Sequence, residues 1–272
     1  MQVFSISPFE MVASPWRNRS LVLELSKRDI LARYKGTLVG ALWTFVNPLL
    51  MLAVYSFVFG FVFKTSWRGG TGNGGEFPLV LFSGLIVFNV FSECISRGPT
   101  LILSHISYVK KVIFPLEILP LVTLLSSLFH AVISFIVWLV AYFFILGVPD
   151  IHILLTPLLI TPFLMVVMGV SWLLASLGVY LRDISQAVGV IVTVVMFMSP
   201  LFYALKDIPE PFRSYLYINP LTFIIEEMRK VLFLGQLPDM YLLGGYSGVA
   251  LLTMWLGFGW FQKSRGGFAD VL

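Results

Sequence analysis

The residue types that most often carry out catalysis or bind metals are sparse in this chain and far apart. His105, His130 and His152 are widely separated, and no H-E-x-x-H pair occurs, so the spacing that puts two zinc ligands on one helix face is missing. The single cysteine, Cys94, excludes an intramolecular disulfide and a cysteine-based metal cluster. The sequence therefore predicts no catalytic residue and no metal site.

A glycine-rich run at 69–75 is the next candidate, because glycine loops can bind nucleotide phosphates. Such a loop normally reads G-x-x-x-x-G-K-S/T, and the run here, GGTGNGG, has no lysine. We interpret it as a flexible loop in solvent. The chain is therefore expected to bind no nucleotide cofactor and to hydrolyse no ATP itself.

Three polar residues lie inside long apolar segments, namely Asn89, Glu93 and His130. Burying such groups in a membrane costs free energy unless they are paired or line a wet cavity. Glu93 lies near one end of its segment, which favours a structural or interfacial role. His130 either hydrogen-bonds a neighbouring helix or lines a pathway. Three scattered groups do not make a proton relay.

The elements that position these residues are long apolar helices. The chain is 58% hydrophobic and only 12% charged, and its uncharged stretches at 40–63 and 118–146 exceed the roughly 20 residues needed to cross hydrocarbon. These stretches lack the two-residue alternation of a membrane barrel. The predicted fold class is therefore an all-α integral membrane protein. The net charge of +4 indicates anionic lipid rather than nucleic acid, because the basic residues flank the apolar spans.

Hydropathy predicts six transmembrane helices in one membrane domain. They lie at about 40–63, 77–96, 118–146, 152–181, 184–204 and 240–261. An amphipathic helix within residues 1–39 precedes them along the interface, and residues 262–272 form a short tail. Lys and Arg are concentrated before the first span, which places both termini in the cytoplasm by the positive-inside rule. The expected location is a bacterial inner membrane.

Residues 205–239 precede the last span and are too polar for two further crossings. Prolines at 209, 211, 220 and 238 divide the region into short pieces. We expect two short helices that dip into the outer leaflet, with Glu226 pairing with Arg229 and Lys230 at helical spacing. An amphipathic helix on the outer membrane surface is the alternative.

Four motifs in order along the chain resemble a known family. The segment LSKRDILARYKGTLVGALW at 25–43, followed by Asn47-Pro48-Leu49, resembles the segment leading into the first span of polysaccharide-export permeases. The resemblance continues in KKVIFPLEILP at 110–120, in NPLT at 219–222 and in FADV at 268–271. These permeases belong to the second type of ATP-binding-cassette exporter and include exporters of O-antigen, capsule and teichoic acid.

The resemblance implies a half-channel that pairs with a second copy of itself and with two separate ATPase subunits. ATP and magnesium would bind to those subunits, and the cargo would be a lipid-linked polysaccharide, with O-antigen ahead of capsule or teichoic acid. The implied ATPase-docking segments are about 21–35 and 97–111, represented by Leu25, Asp29, Arg97, His105, Lys110 and Lys111. Lys110 and Lys111 are equally well explained as topology anchors.

Transport of such a cargo needs a path that accepts both sugar rings and a phosphate. Aromatic rings offer flat apolar surfaces to sugars, and basic groups attract phosphate. The candidates for the pathway wall are Trp43, Tyr55 and Phe59 on the first span and Phe197, Phe202 and Tyr203 on the fifth. Arg28, Arg33 and Lys35 are the candidates for the cytoplasmic entrance, although anchoring to anionic lipid explains them equally well.

Two other functions remain open at this point. An ATP-driven exporter of a small drug or a lipid would share the six-span plan. A membrane-embedded transferase acting on lipid-linked sugars would need an acidic or histidine cluster, which the sequence lacks.

Overall fold

A computed structural model describes residues 5–37, 39–65, 75–110 and 114–272, and within these ranges the regular structure is entirely helical. This confirms the predicted all-α class. The α-helices in chain order are α1 (Pro8–Arg17), α2 (Arg19–Ala32), α3 (Trp43–Tyr55), α4 (Glu76–Arg97), α5 (Ile106–Val109), α6 (Leu119–Leu146), α7 (Thr156–Tyr180), α8 (Ile184–Met198), α9 (Glu210–Leu216), α10 (Pro220–Phe233), α11 (Met240–Ser264) and α12 (Phe268–Val271).

Five helical segments are long and apolar enough to cross a membrane. They are Gly40–Val62, Glu76–Thr100, Leu116–Leu146, Ile151–Tyr180 and Met240–Val271, and they match five of the six predicted spans. The predicted span at 184–204 corresponds to α8, which has 15 residues and is about 22 Å long at 1.5 Å per residue. It ends because Ser199 is extended, as expected of the residue before Pro200.

Helix α4 is the centre of the bundle. Every residue from Glu76 to Phe91 is buried except Asn89. The helices α3, α6, α7, α8 and α10 all pack against α4. The first span, by contrast, leaves most of its side chains exposed, and its second half, Ser56–Val62, is a π-helix.

Helices α7 and α11 pack closely because glycines remove the side chains between them. A Cβ atom built on Gly257 would lie 2.0 Å from the carbonyl oxygen of Gly169, and one built on Gly169 would lie 2.4 Å from that of Thr253. Small residues at such crossings allow the backbones of membrane helices to approach. These glycines hold the last span against the fourth.

The N-terminal segment forms two helices rather than one. Helix α2 lies within the segment for which an interfacial helix is predicted, and it packs along α6. Helix α1 was not predicted, although its start carries a sequence signal: the Ser7 hydroxyl accepts a hydrogen bond from the Phe9 N–H, and Pro8 occupies the first helical position. Helix α2 lies at one end of the helix bundle, and we call this end of the bundle the α2 end.

The region 205–239, for which two short helices dipping into the outer leaflet are predicted, contains α9 and α10. Asn219 caps α10 by accepting a hydrogen bond from the Leu221 N–H at 3.0 Å. The predicted pairing of Glu226 with Arg229 is present at 2.8 Å. The predicted pairing of Glu226 with Lys230 is wrong, because Lys230 binds Glu227 at 2.6 Å instead.

Candidate functional site

Four charged residues form a cluster that joins α2 to the end of α4. Arg97 donates hydrogen bonds to both carboxylate oxygens of Asp29, at 2.6 and 3.0 Å, and to Glu93 at 3.3 Å. Arg33 also binds Glu93 and lies 3.6 Å from Asp29. We call these residues the charge cluster. Because opposite charges alternate within it, ion pairs hold α2 to the second span.

The charge cluster also fixes the ionisation of Asp29. Partial burial by itself would raise the pKa of Asp29, but hydrogen bonds from Arg97 and Ser126 and the positive charges of Arg97 and Arg33 outweigh it and hold the pKa at about 2. Burial and the neighbouring Arg97 lower the pKa of Arg33 from its ordinary value. The carboxylate of Asp29 is therefore ionised at neutral pH.

A cleft of about 470 Å³ lies next to the charge cluster, between the first three spans and the end of α2. Its lining combines aromatic, amide and hydroxyl side chains with one ion pair. The lining residues are Arg33, Tyr34, Trp43, Thr44, Asn47, Pro48, Met51, Tyr55, Phe82, Leu85, Ile86, Asn89, Glu93, His130 and Ser134. All three polar residues that the sequence marked inside spans therefore lie at one site.

Some polar groups of the cleft have no protein partner among the described residues. Across the described ranges, the side-chain amides of Asn47 and Asn89 form no hydrogen bond. The His130 ring lies 3.3 Å from the Tyr34 hydroxyl through Nδ1, whereas its Nε2 is buried and unpaired. Such groups at membrane depth are expected to contact water or a ligand.

The structure divides the predicted pathway wall into separate groups. Trp43 and Tyr55 line the cleft. Phe59 lies farther along the first span and packs against the Tyr55 and Phe63 rings. Phe202 and Tyr203 lie near Phe197 at the end of α8, with the Tyr203 hydroxyl donating to the Phe197 carbonyl at 3.1 Å. No ring contact in the described part of the chain joins this second group to the first.

The predicted entrance residues also separate. Arg33 belongs to the charge cluster and lines the cleft. Arg28 and Lys35 line a different groove of about 700 Å³ on the outer face of α2. Lys27 adds a third positive charge to this groove and Glu24 one negative charge, so the groove is basic. Tyr34 borders both the groove and the cleft.

The predicted docking residues lie at the α2 end but differ in exposure. Leu25 packs against a buried cluster formed by Val22, Ile118 and Val122. Asp29 and Arg97 bind each other, and His105 stacks on Tyr108 with ring centroids 5.4 Å apart. Lys110 is exposed. Lys111 lies outside the described residues.

A buried ion pair at the α2 end was not predicted. Arg265 binds one carboxylate oxygen of Glu117 at 2.6 Å, and the Ser14 hydroxyl binds the other at 2.6 Å. The backbone carbonyl of Glu117 accepts from the Trp172 indole at 2.9 Å. Glu117 thus joins α1, the start of the third span, the fourth span and the C-terminal segment. Its position in the 110–120 motif was the only signal in the sequence.

No cluster of histidine, cysteine, aspartate or glutamate suited to a metal ion occurs in the described ranges. The site offers instead a polar and aromatic cleft, a basic groove and ion pairs that link the interfacial helices to the spans.

Comparison with known proteins gives a consistent result. Residues 20–233 match the ABC-2 type transporter family. An O-antigen export system permease protein RfbA from Myxococcus xanthus is 29% identical over 96% of this chain and 99% of its own length. A protein of the same name from Klebsiella pneumoniae is 26% identical over 93% and 95%. The polysialic acid transport protein KpsM of Escherichia coli is 23% identical over 85% and 88%.

Proposed function

The chain belongs to the ABC-2 type transporter family, and we propose that it is the membrane-spanning permease subunit of an ATP-driven polysaccharide exporter. Its cargo is a lipid-linked polysaccharide, with O-antigen first, carried from the cytoplasmic to the outer side of a bacterial inner membrane. The observation that carries the proposal is the full-length similarity to permeases named for O-antigen export. The similarity to KpsM, which is named for polysialic acid transport, supports a polysaccharide other than O-antigen as the second candidate cargo.

ATP is hydrolysed by separate partner subunits that dock at the α2 end. The chain has no G-x-x-x-x-G-K-S/T sequence, which supports placing ATP hydrolysis in other subunits. Docking involves the predicted segments 21–35 and 97–111. The ion pair between Asp29 and Arg97 supports a coupling role, because it joins the two segments and would pass a displacement of α2 to the second span as a rigid-body shift.

The basic groove is the entrance for the phosphate-bearing head of the cargo. Arg28 and Lys35 line it, and clustered positive charges near the cytoplasmic surface attract phosphate. Arg33 contributes less to this attraction, because its charge is already balanced by Glu93.

The channel forms between two copies of the chain. Exposed apolar side chains on the first span and on α8, including Leu50, Phe57, Val190 and Phe197, support a protein or lipid contact on these faces. Pairing two copies would bring Trp43, Tyr55 and Phe59 of one subunit towards Phe197, Phe202 and Tyr203 of the other. Single-chain packing keeps the two groups apart.

Six crossings with both termini in the cytoplasm complete the arrangement, with α8 as the fifth crossing. Helix α10 re-enters the outer leaflet and compensates for the shortness of α8. Its depth is supported by Gly84, eight residues into α4 and thus about 12 Å from its start, where an added Cβ would lie 3.6 Å from the Ile225 side chain. A helix lying on the membrane surface would not reach this depth.

Deletion of the gene tests the proposal. The deletion strain is expected to lose its surface polysaccharide and to accumulate lipid-linked glycan inside the cell, and the wild-type chain should restore export. Unchanged surface glycan, together with no complex between the purified chain and an ATPase subunit, would overturn the proposal.

A further inference from the structure

We propose that the cleft between the first three spans binds sugar units of the cargo rather than its phosphate. The inference rests on the proposed function and adds to it a binding site and the chemical class of group bound there. Four features of the cleft support it: its depth, its unpaired polar groups, its charge balance and its aromatic wall.

The cleft lies within the membrane-spanning part of the chain. Along α4 it extends from Glu93 to Phe82, which is about 16 Å at 1.5 Å per residue and about half of a 30 Å hydrocarbon core. Asn89 is the one exposed residue in the otherwise buried stretch from Glu76 to Phe91. Its exposure is therefore due to the cleft.

The unpaired groups of the cleft match hydroxyl groups. Each amide, at Asn47 on the first span and Asn89 on the second, offers both a donor and an acceptor. The unpaired Nε2 of His130 adds a third group from the third span. Sugar hydroxyls also donate and accept, so a glycan can satisfy all three groups, whereas a phosphate can only accept from them at neutral pH.

The charges of the cleft do not favour a phosphate. Its charged lining residues are Arg33 and Glu93, and these two bind each other. Arg33 also lies near Asp29, so its guanidinium faces two carboxylates. The basic groove beyond Tyr34 has the excess positive charge that phosphate binding requires. The phosphate and the sugars would thus occupy neighbouring but different sites.

The aromatic side chains of the cleft are also suited to binding sugars. Trp43, Tyr55 and Phe82 line the cleft, and such rings present flat apolar surfaces to the C–H faces of sugars. The volume of about 470 Å³ lies within the usual range for small-molecule sites. Polar groups that fix orientation and aromatic surfaces that provide contact area therefore occur together.

The test measures binding of the strain's own glycan, released from its lipid by mild acid so that it carries no phosphate. The complete complex with its ATPase, in lipid nanodiscs, is the sample. Replacing Asn89 by Leu (Asn89→Leu) or Asn47 by Leu should weaken glycan binding about tenfold, because an amide that bonds the hydroxyls is lost. Gln236→Leu, which removes an exposed amide remote from the cleft, should leave binding unchanged.

The Asn89→Gln variant keeps an amide at this position, so it should bind the glycan more tightly than Asn89→Leu does. This comparison distinguishes loss of the amide contact from loss of folding. The inference is overturned if the released glycan does not bind the wild-type complex, or if Asn89→Leu binds it as tightly as wild type. It is also overturned if undecaprenyl phosphate without sugar binds and is weakened equally by Asn89→Leu. Intact surface glycan in the deletion strain would instead contradict the proposed function itself.

Discussion

Arg97 at the end of the second span holds Asp29 of the interfacial helix by two parallel hydrogen bonds of 2.6 and 3.0 Å. The two residues are 68 positions apart in the sequence. Paired hydrogen bonds of this kind fix orientation as well as distance. The proposed coupling role follows from this geometry, since such a pair would pass a displacement of α2 to the span more rigidly than an apolar contact.

Breaking this pair should uncouple ATP hydrolysis from export. Asp29→Ala and Arg97→Ala should each reduce export several-fold while the partner ATPase retains most of its activity. Arg97→Lys, which keeps the positive charge but loses the paired hydrogen bonds, should retain part of the export. Surface glycan and ATP hydrolysis are measured in parallel, and wild-type export by both single variants would contradict the coupling role.

The low pKa of Asp29 predicts a particular dependence of stability on pH. A carboxyl whose folded-state pKa of about 2 lies below its ordinary value of 3.8 stabilises the fold fully above about pH 4, and this contribution disappears as the pH falls towards 2. Thermal unfolding of wild type and Asp29→Asn, measured from pH 6 to pH 2.5, should give a constant difference above pH 4.5 that shrinks below it. A difference that grows on acidification would refute the assignment.

The Glu117–Arg265 pair predicts a stability effect that depends on burial. Both side chains are at most 10% exposed, so Glu117→Gln removes the carboxylate charge that this buried guanidinium binds and should cost about 3 kcal/mol. Glu10→Gln breaks the exposed pair with Arg17 and should lower the stability far less, because solvent screens that pair. The stability of the two purified variants is compared by heating each one and measuring the remaining folded protein by size-exclusion chromatography. Equal decreases in stability for the two variants would show that burial of the ion pair does not determine its contribution.

The contact between α7 and α11 predicts sensitivity to a single methyl group. Gly257→Ala places a Cβ 2.0 Å from a backbone oxygen, so the helices must separate and the yield of folded protein should fall sharply. Gly248→Ala, on the same helix with nothing within 4 Å of the added atom, should leave the yield unchanged. Normal yield from Gly257→Ala would contradict the packing.

Cysteine labelling checks the orientation of the chain. In a Cys94→Ser background, single cysteines at Asp207 and at Gly72, which lies outside the described residues, should react with an impermeant reagent added to whole cells. A cysteine at Ser107, exposed at the α2 end, should react only after the cells are opened. The opposite pattern would reverse the orientation and, with it, the proposed direction of the ATPase contact.

Local patterns predicted most of the helices, because continuous apolar runs indicate spans without any knowledge of their neighbours. The start of α1 also had a local signal in Ser7-Pro8, and the early end of α8 had one in Ser199-Pro200. Hydropathy alone overlooked both, since it averages over capping residues and proline. Five of the predicted spans correspond to long apolar helices of the structure.

The site was less predictable, because its contacts are distant in sequence. Asn89, Glu93 and His130 could be recognised as polar residues in apolar helices, but their common cleft depends on how three spans pack. The Glu117–Arg265 pair joins residues 148 positions apart, and no local pattern links them. The choice between Glu226 and Glu227 as the partner of Lys230 depends on Glu227 also binding the Asp239 N–H at 3.0 Å.

Reconstituted transport tests the central claim most directly. The purified chain and its partner ATPase are placed in proteoliposomes containing the strain's lipid-linked glycan, with the ATPase facing outwards, and access of the glycan to an added glycosidase is followed. ATP should transfer glycan to the protected interior, and a non-hydrolysable ATP analogue should not. ATP hydrolysis with no protection of the glycan would contradict the assignment of this chain as a polysaccharide permease.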